Sequence, residues 1–371
     1  MTTLPDTEPG AGESNASLIA TEGAAVDRTT FAARQAEMTA RWFENVKARE
    51  GDVEAYIGKR KAAYLDRWRE AARFIADGSS VLDIGGGNLF AELLELLSGR
   101  RFDYHYIDVD QAAVDDARRR GGHYGFNPER FATGFNDRLV FEDGRFDVVF
   151  SSHCIEHSFD LSATFGEIYR VLKPGGNLTM AVPLGWEQNP EHPYFFSLDE
   201  WIALIEDAGF RIRVCQSGCE YPERGYDLFI AAQKIAKVGS RRRIDPEDHR
   251  KTNYRFVPAD DERIVCIGDV RPAGDQKILA GMDWTIEIAV PAGTTEICPV
   301  FFRHNWSGIV ELTCAGTRTA ENLFHWFAYM QPARMTLARP LLLDGVCRIR
   351  PLGASRSSWS SQGVILGALL R

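Results

Sequence analysis

Residues 81–90 read VLDIGGGNLF, and the parsing of this run decides the fold. Residues 81–84 have the short apolar character of a buried strand, and Gly85, Gly86 and Gly87 interrupt it before a helical pattern, LFAELLELL, begins at Leu89. A strand that turns through glycines into a helix brings backbone close to a ligand, and the helix N-terminus offers it free N–H groups. Asp83 precedes the turn. Asp108 lies at the end region of the next predicted strand, FDYHYIDVD, 21 residues beyond Gly87, where an acid accepts hydrogen bonds from both ribose hydroxyls of a nucleoside cofactor. Nicotinamide and adenosyl cofactors share this geometry. Here Phe90 replaces the third glycine of a dinucleotide fingerprint, and Asp83 would repel a diphosphate but suits a sulfonium that carries an ammonium group.

Outward from this run the alternation continues. QAAVDDARR predicts a helix, RFDVVFSS a strand, LSATFGEIYRVL a helix, and NLTMAVP a strand. Ser197 and Glu200 predict a capping box for a helix that carries Trp201, Leu204 and Ile205 and ends at Gly209. Such alternation predicts a Rossmann-like α/β domain over 78–235, a doubly wound parallel sheet covered on both faces. Upstream, 28–76 has a helical period broken at Gly51, giving a helical arm over 27–77 that closes one side of a pocket. Residues 1–26 are rich in Thr, Glu, Gly, Ala and Ser, without a basic or apolar leader block, and read as a disordered tail. Charged, turn-rich 236–256 reads as a linker. Beyond it, ERIVCIG, WTIEIAVPAG, GIVELTCAG, LARPLLLDGVCRIRP and GVILGALL predict strands, so 257–371 is expected to be an antiparallel β-sandwich-like domain.

The chain has 371 residues and a net charge of −9, which disfavours a nucleic-acid backbone as partner. Basic runs at Arg118–Arg120 and Arg241–Arg243 read as a solvated helix end and linker. Seven cysteines without a C-x-x-C pair argue against disulfides or a zinc knuckle. No apolar run is long enough to span a membrane, and a cytoplasmic protein is expected.

The motifs VLDIGGG, YIDVD, FEDGRFDVVFSSHCIEH, EIYRVLKPGGNLTMAVP and SLDEWIALIEDAGF, in this order, resemble the class I S-adenosylmethionine-dependent methyltransferases, particularly their small-molecule (type-11/12-like) subgroup. The resemblance implies S-adenosylmethionine as cofactor, with Asp83, Gly85, Gly86 and Gly87 at its methionine end and Asp108 with Val109 at the ribose. It further implies Asn136 or Asp137 at the adenine, and Ser151 beside the site. Leu89 departs from the third glycine found in many members.

After the strand FDVVF comes SSHCIEHS, in which His153, Glu156 and His157 form H-x-x-E-H. A peptidase needs both histidines on one helix facing a metal, which a strand end does not supply. Three readings remain. His153 or His157 is a general base taking a proton from an acceptor hydroxyl; Glu156 and His157 shape a turn; or a divalent metal sits among His153, Glu156, His157 and His192. Some ubiquinone-pathway and small-RNA methyltransferases resemble this stretch with E-x-x-E-H and hold a magnesium-type ion there. His153 in place of the first glutamate suits such an ion less. The histidine base is the preferred reading. Trp186, His192 and Tyr194, in LGWEQNPEHPYFF, are candidate acceptor contacts.

Trp284, Trp306, Trp326 and Trp359 in the second domain are either core or platforms for sugar rings. A methyltransferase joined to such a domain resembles enzymes of bacterial surface-polysaccharide assembly. The expected reaction is O-methylation of a sugar or glycan hydroxyl. Rivals are O- or C-methylation of a quinone-like aromatic, and a glycan-binding or assembly protein with an inactive methyltransferase fold. Homo-oligomerisation through the second domain stays open.

Overall fold

The computed structural model describes residues 27–51, 69–86, 97, 99–186, 192–218, 227–236, 244–326 and 328–371. The expected tail, Gly87, most of the helix over 89–97, Cys219, Arg241–Arg243 and residues 52–68 of the arm lie outside them.

Seven strands form the first sheet: β1 (Ser80–Ile84), β2 (Asp103–Asp108), β3 (Phe131–Thr133), β4 (Phe146–Ser152), β5 (Leu172–Pro183), β6 (Phe210–Gly218) and β7 (Asp227–Lys234). Their order is β3-β2-β1-β4-β5-β7-β6. The ladders from β3 to β5 are parallel, as the alternation predicts. β7 runs antiparallel between β5 and β6, so the sheet is mixed and not wholly parallel. The connection from Gly218 to Asp227 is too short for a parallel crossover, which needs about a dozen residues.

Helices α1 (Arg28–Glu50), α2 (Gln111–Gly122), α3 (Leu161–Val171) and α4 (Leu198–Asp207) accompany the sheet. Their starts are written locally. Asp27, Asp110 and Asp160 accept from backbone N–H groups of the first turns of α1, α2 and α3. Ser197 and Glu200 form the expected capping box of α4. α1 stops at Gly51, whose φ of 77° is left-handed. α3 turns Leu161, Phe165, Ile168 and Val171 inward, the spacing of one helical face. They join Leu82, Ile84, Val149 and Met180 in one core layer, while Tyr104, Tyr106, Val148, Phe150 and Phe229 build the layer on the opposite face. Every residue of β1 is buried, Ser80 and Asp83 included, so the strand shows no alternation of apolar and polar positions.

The second domain contributes ten strands in a sheet whose strand ladders are all antiparallel. Its long strand β10 (Gln276–Val290) pairs first with β17 (Gly363–Leu370) and then with β16 (Gly345–Ala354), with a bulge between Ala280 and Thr285 on its β9 (Ile264–Ala273) side. Bending there lets the sheet fold over a core of Trp284, Ile286, Ile288, Phe301, Leu312 and Ile349. The strand expected from LARPLLLDGVCRIRP begins only at Gly345, and Leu342 and Leu343 are exposed. Of the tryptophans, Trp284 is core, whereas Trp306, Trp326 and Trp359 are exposed.

Residues 244–254 are packed against the loop after β5. Phe195 N donates to His249 O at 3.1 Å, Lys251 N donates to Pro193 O at 2.7 Å, and both His249 and Lys251 are buried. The two domains meet through Trp186, Phe195, Tyr254, Cys298, Val300, Leu366 and Leu369. Gly185 has φ 83°, and a Cβ there would overlap the Met330 carbonyl of the second domain. Arg334 of the second domain bonds Glu296, Tyr254 and His249 and lies 3.4 Å from Glu200 at the start of α4.

Candidate active site

Strand order reverses at β1, with β2 on one side and β4 on the other, and a crevice opens at the carboxyl ends of such strands. Asp83, Gly85, Asp108 and His153 all lie at that end.

Asp83 is buried, and its Oδ2 accepts from the Tyr104 hydroxyl at 2.5 Å. Its Oδ1 has no hydrogen-bond partner among the described residues. Burial, with Asp108 adding, pushes its carboxyl up to about 8 against the opposing Tyr104 bond. A Cβ on Gly86 would stand 2.8 Å from that carboxylate, so glycine keeps the space in front of it open. Gly85 N donates to Ile107 O, and its φ of 65° brings it onto Cys154, whose sulfur a Cβ there would overlap. Asp108 accepts from Asp110 N at 3.0 Å and from the Tyr106 hydroxyl at 3.1 Å, and burial raises its carboxyl. Val109 follows it at the end of β2. An orphaned buried carboxylate behind a cleared turn, with a second carboxylate at the neighbouring strand end, fits the ammonium and ribose of an adenosyl sulfonium.

The other expected cofactor residues carry intramolecular bonds. Asn136 donates to Ser158 Oγ at 2.9 Å and accepts from Thr164 Oγ1 at 3.1 Å. Asp137 receives Arg28 Nη1 on both oxygens, at 2.5 and 2.6 Å, which fastens α1 to this end of the cleft. Ser151 Oγ donates to Ile84 O, joining β4 to β1.

Just past β4, His153 has φ 51°, a left-handed conformation uncommon outside glycine, while its N–H donates to Ala181 O at 2.8 Å. Its Nδ1 lies 3.4 Å from Glu156 Oε1 and its Nε2 3.7 Å from Asp227 Oδ2. Ile155–His157 is one turn of 3₁₀ helix, which buries Glu156. The His157 and His192 rings meet edge to face at 4.6 Å. Burial holds the His192 imidazole well below its ordinary range. His153, Glu156, His157 and His192 therefore come together, although 192 is distant in sequence. Trp186 and Tyr194 do not line an open face: both are buried, Trp186 against Phe195 and Phe256, Tyr194 against Phe196 and Arg250.

Three residues of this site had no signal in the sequence. Asp227 opens β7 with no motif around it. Cys154 looks like a spacer between His153 and Glu156. Lys251 sits in an apparently solvated stretch, yet its Nζ lies 5.0 Å over the Trp186 ring and burial pushes its amine down to about 7.

Residues 82–180 match the family model described as a methyltransferase domain. Curated relatives include a sterol 24-C-methyltransferase, ERG6A, of Gibberella zeae, 28% identical over 37% of this chain and 41% of the relative. Phosphoethanolamine N-methyltransferase 2 of Caenorhabditis elegans is 33% identical over 28% of this chain and 24% of the relative. The chain thus spans less than half the length of these relatives. A solved SAM-dependent methyltransferase from Aquifex aeolicus aligns with 52% of this chain and 98% of its own, with 20% identity and a TM-score of 0.40. The first domain is a class I S-adenosylmethionine-dependent methyltransferase domain. No helix among the described residues is long and apolar enough to cross a membrane.

Proposed function

We propose that this protein transfers a methyl group from S-adenosylmethionine to a hydroxyl of a sugar or glycan, with His153 as general base. When bound, the cofactor supplies a methyl group on a positively charged sulfur. Asp83 holds the ammonium end and Asp108 the ribose. The carrying observation is the placement of His153. Its chain neighbour Cys154 packs on Gly85 of the cofactor turn, and its own two ring nitrogens face Glu156 and Asp227. Carboxylates beside an imidazole orient it and stabilise the cation formed when the ring takes a proton. A hydroxyl acceptor has such a proton to lose. Held against the methyl group in line, it gains most of its reactivity from positioning.

The acceptor class rests on the second domain, where the exposed indoles of Trp306 and Trp359, 5.5 Å apart, offer flat apolar faces on which sugar rings stack. A role in polysaccharide biosynthesis accords with such an acceptor.

The experiment is release of S-adenosylhomocysteine against a panel of sugars and oligosaccharides, beside calorimetry with S-adenosylmethionine. His153→Ala is expected to keep cofactor affinity within about twofold and to lose about 10²- to 10⁴-fold in kcat. Unchanged turnover would remove the base. Folded protein that binds no S-adenosylmethionine would remove the whole reading.

A further inference from the structure

We infer that Glu156, His157 and His192 form a binding site for a divalent transition-metal ion of the zinc, cobalt or iron(II) kind. The inference deepens the methyl-transfer reading, because the site lies on its acceptor side. One ligand atom from each of the three residues falls within 4.8 Å of the others, the spread that a single ion can close. They reach that point from two directions. Glu156 and His157 are adjacent on the 3₁₀ turn after β4, and His192 comes from the loop after β5.

The second observation concerns Glu156 itself. It is 1% exposed, and neither carboxylate oxygen has a hydrogen-bond partner among the described residues. A buried carboxylate is retained where something satisfies it. His153 approaches only one of these oxygens, at 3.4 Å. An ion between Glu156, His157 and His192 would engage that carboxylate.

The donor set selects the ion. Magnesium and calcium take oxygen ligands, whereas two imidazoles with one carboxylate suit zinc, cobalt and iron(II), with positions left for water or substrate. A magnesium-type ion, which the resemblance to E-x-x-E-H enzymes implies, does not fit these donors. His153 lies outside the three and is left to the proton.

The test uses untagged full-length protein, stripped with chelator and titrated separately with zinc, cobalt and magnesium chlorides in a calorimeter. Cobalt is followed in parallel by its visible absorption. The expected result is one zinc or cobalt per chain, bound at least 100-fold more tightly than magnesium. His192→Ala and Glu156→Gln should each weaken cobalt binding at least tenfold and change its visible bands, while His153→Ala keeps the stoichiometry. A circular-dichroism spectrum and cooperative melting transition like those of the parent protein show that a variant is folded. No zinc or cobalt binding, preference for magnesium, or cobalt binding unchanged in both His192→Ala and Glu156→Gln would overturn the site. None of these readouts needs an acceptor, so the metal site and the methyl-transfer reading fail separately.

Discussion

The Nε2 of His153 stands 3.7 Å from the Oδ2 of Asp227, although one residue directly follows a strand and the other begins one far along the chain. β5 brings them together: His153 N donates to Ala181 O, and Asp227 pairs with Pro183 across the antiparallel ladder. With His153 as the proposed base, an acid here would orient the imidazole without touching the acceptor, which would make Asp227 a positioning residue. Asp227→Asn is expected to lower kcat at least about tenfold, roughly 1.4 kcal/mol in the barrier, with little change in cofactor affinity. Steady-state kinetics beside calorimetry separate the two.

Arg28 clamps Asp137 with its guanidinium 4.6 Å over the Phe159 ring. Because the Asp137 side chain is fully buried, Arg28→Ala leaves a carboxylate without its counter-ion, at a cost of about 3 kcal/mol. Arg28→Ala with Asp137→Asn is expected to cost less than the sum of the two single changes. A double-mutant cycle in urea measures that coupling, and additive losses would count against the clamp.

Asp83 has a folded-state pKa of about 8 against an ordinary 3.8. The folded, cofactor-free protein thus holds a proton that the unfolded chain sheds. The associated stability is complete below about pH 4 and is lost as pH rises to about 8. An ammonium group beside Asp83 favours the carboxylate, so cofactor binding is expected to release close to one proton at pH 7 and almost none at pH 9. Calorimetry in buffers of different ionisation enthalpy reads this directly. Asp83→Asn should abolish the release.

Gly185 lies where the first domain touches the Met330 backbone. Gly185→Ala combines a left-handed backbone with a clash against a carbonyl and is expected to destabilise by about 2–4 kcal/mol. Arg334→Met, which strands Glu296 and Glu200 at the same interface, is expected to act in the same direction. Thermal denaturation checks both, and an unchanged melting temperature for Gly185→Ala would contradict this contact.

Local chemistry made much of the first domain readable. Continuous apolar strands, glycine turns and acid caps each report their own conformation, so β1, β2, β4, β5 and the α4 capping box could be placed from sequence. Long-range pairing was less readable. The antiparallel β7 depends on a connection too short to cross over, and strands such as β13 (Thr317–Asn322) alternate half-buried and exposed residues without an apolar stripe. At the site, Asp83, Gly85, Asp108 and His153 belong to motifs and were visible. Asp227 and Lys251 gain their surroundings only after folding. Trp186 looked like a stacking platform because an aromatic loop residue has the same letter whether a ligand or another domain covers it.

That covering has an evolutionary side. Residues 244–254 brace the loop after β5, and the second domain braces them through Arg334. Recombination that exchanged the C-terminal half would carry off the support for Tyr194, Phe195 and the approach to His192 along with it. On the proposed reading, acceptor choice is inherited with both halves, and a swapped partner would have to rebuild one wall of the cleft before any new substrate could be selected.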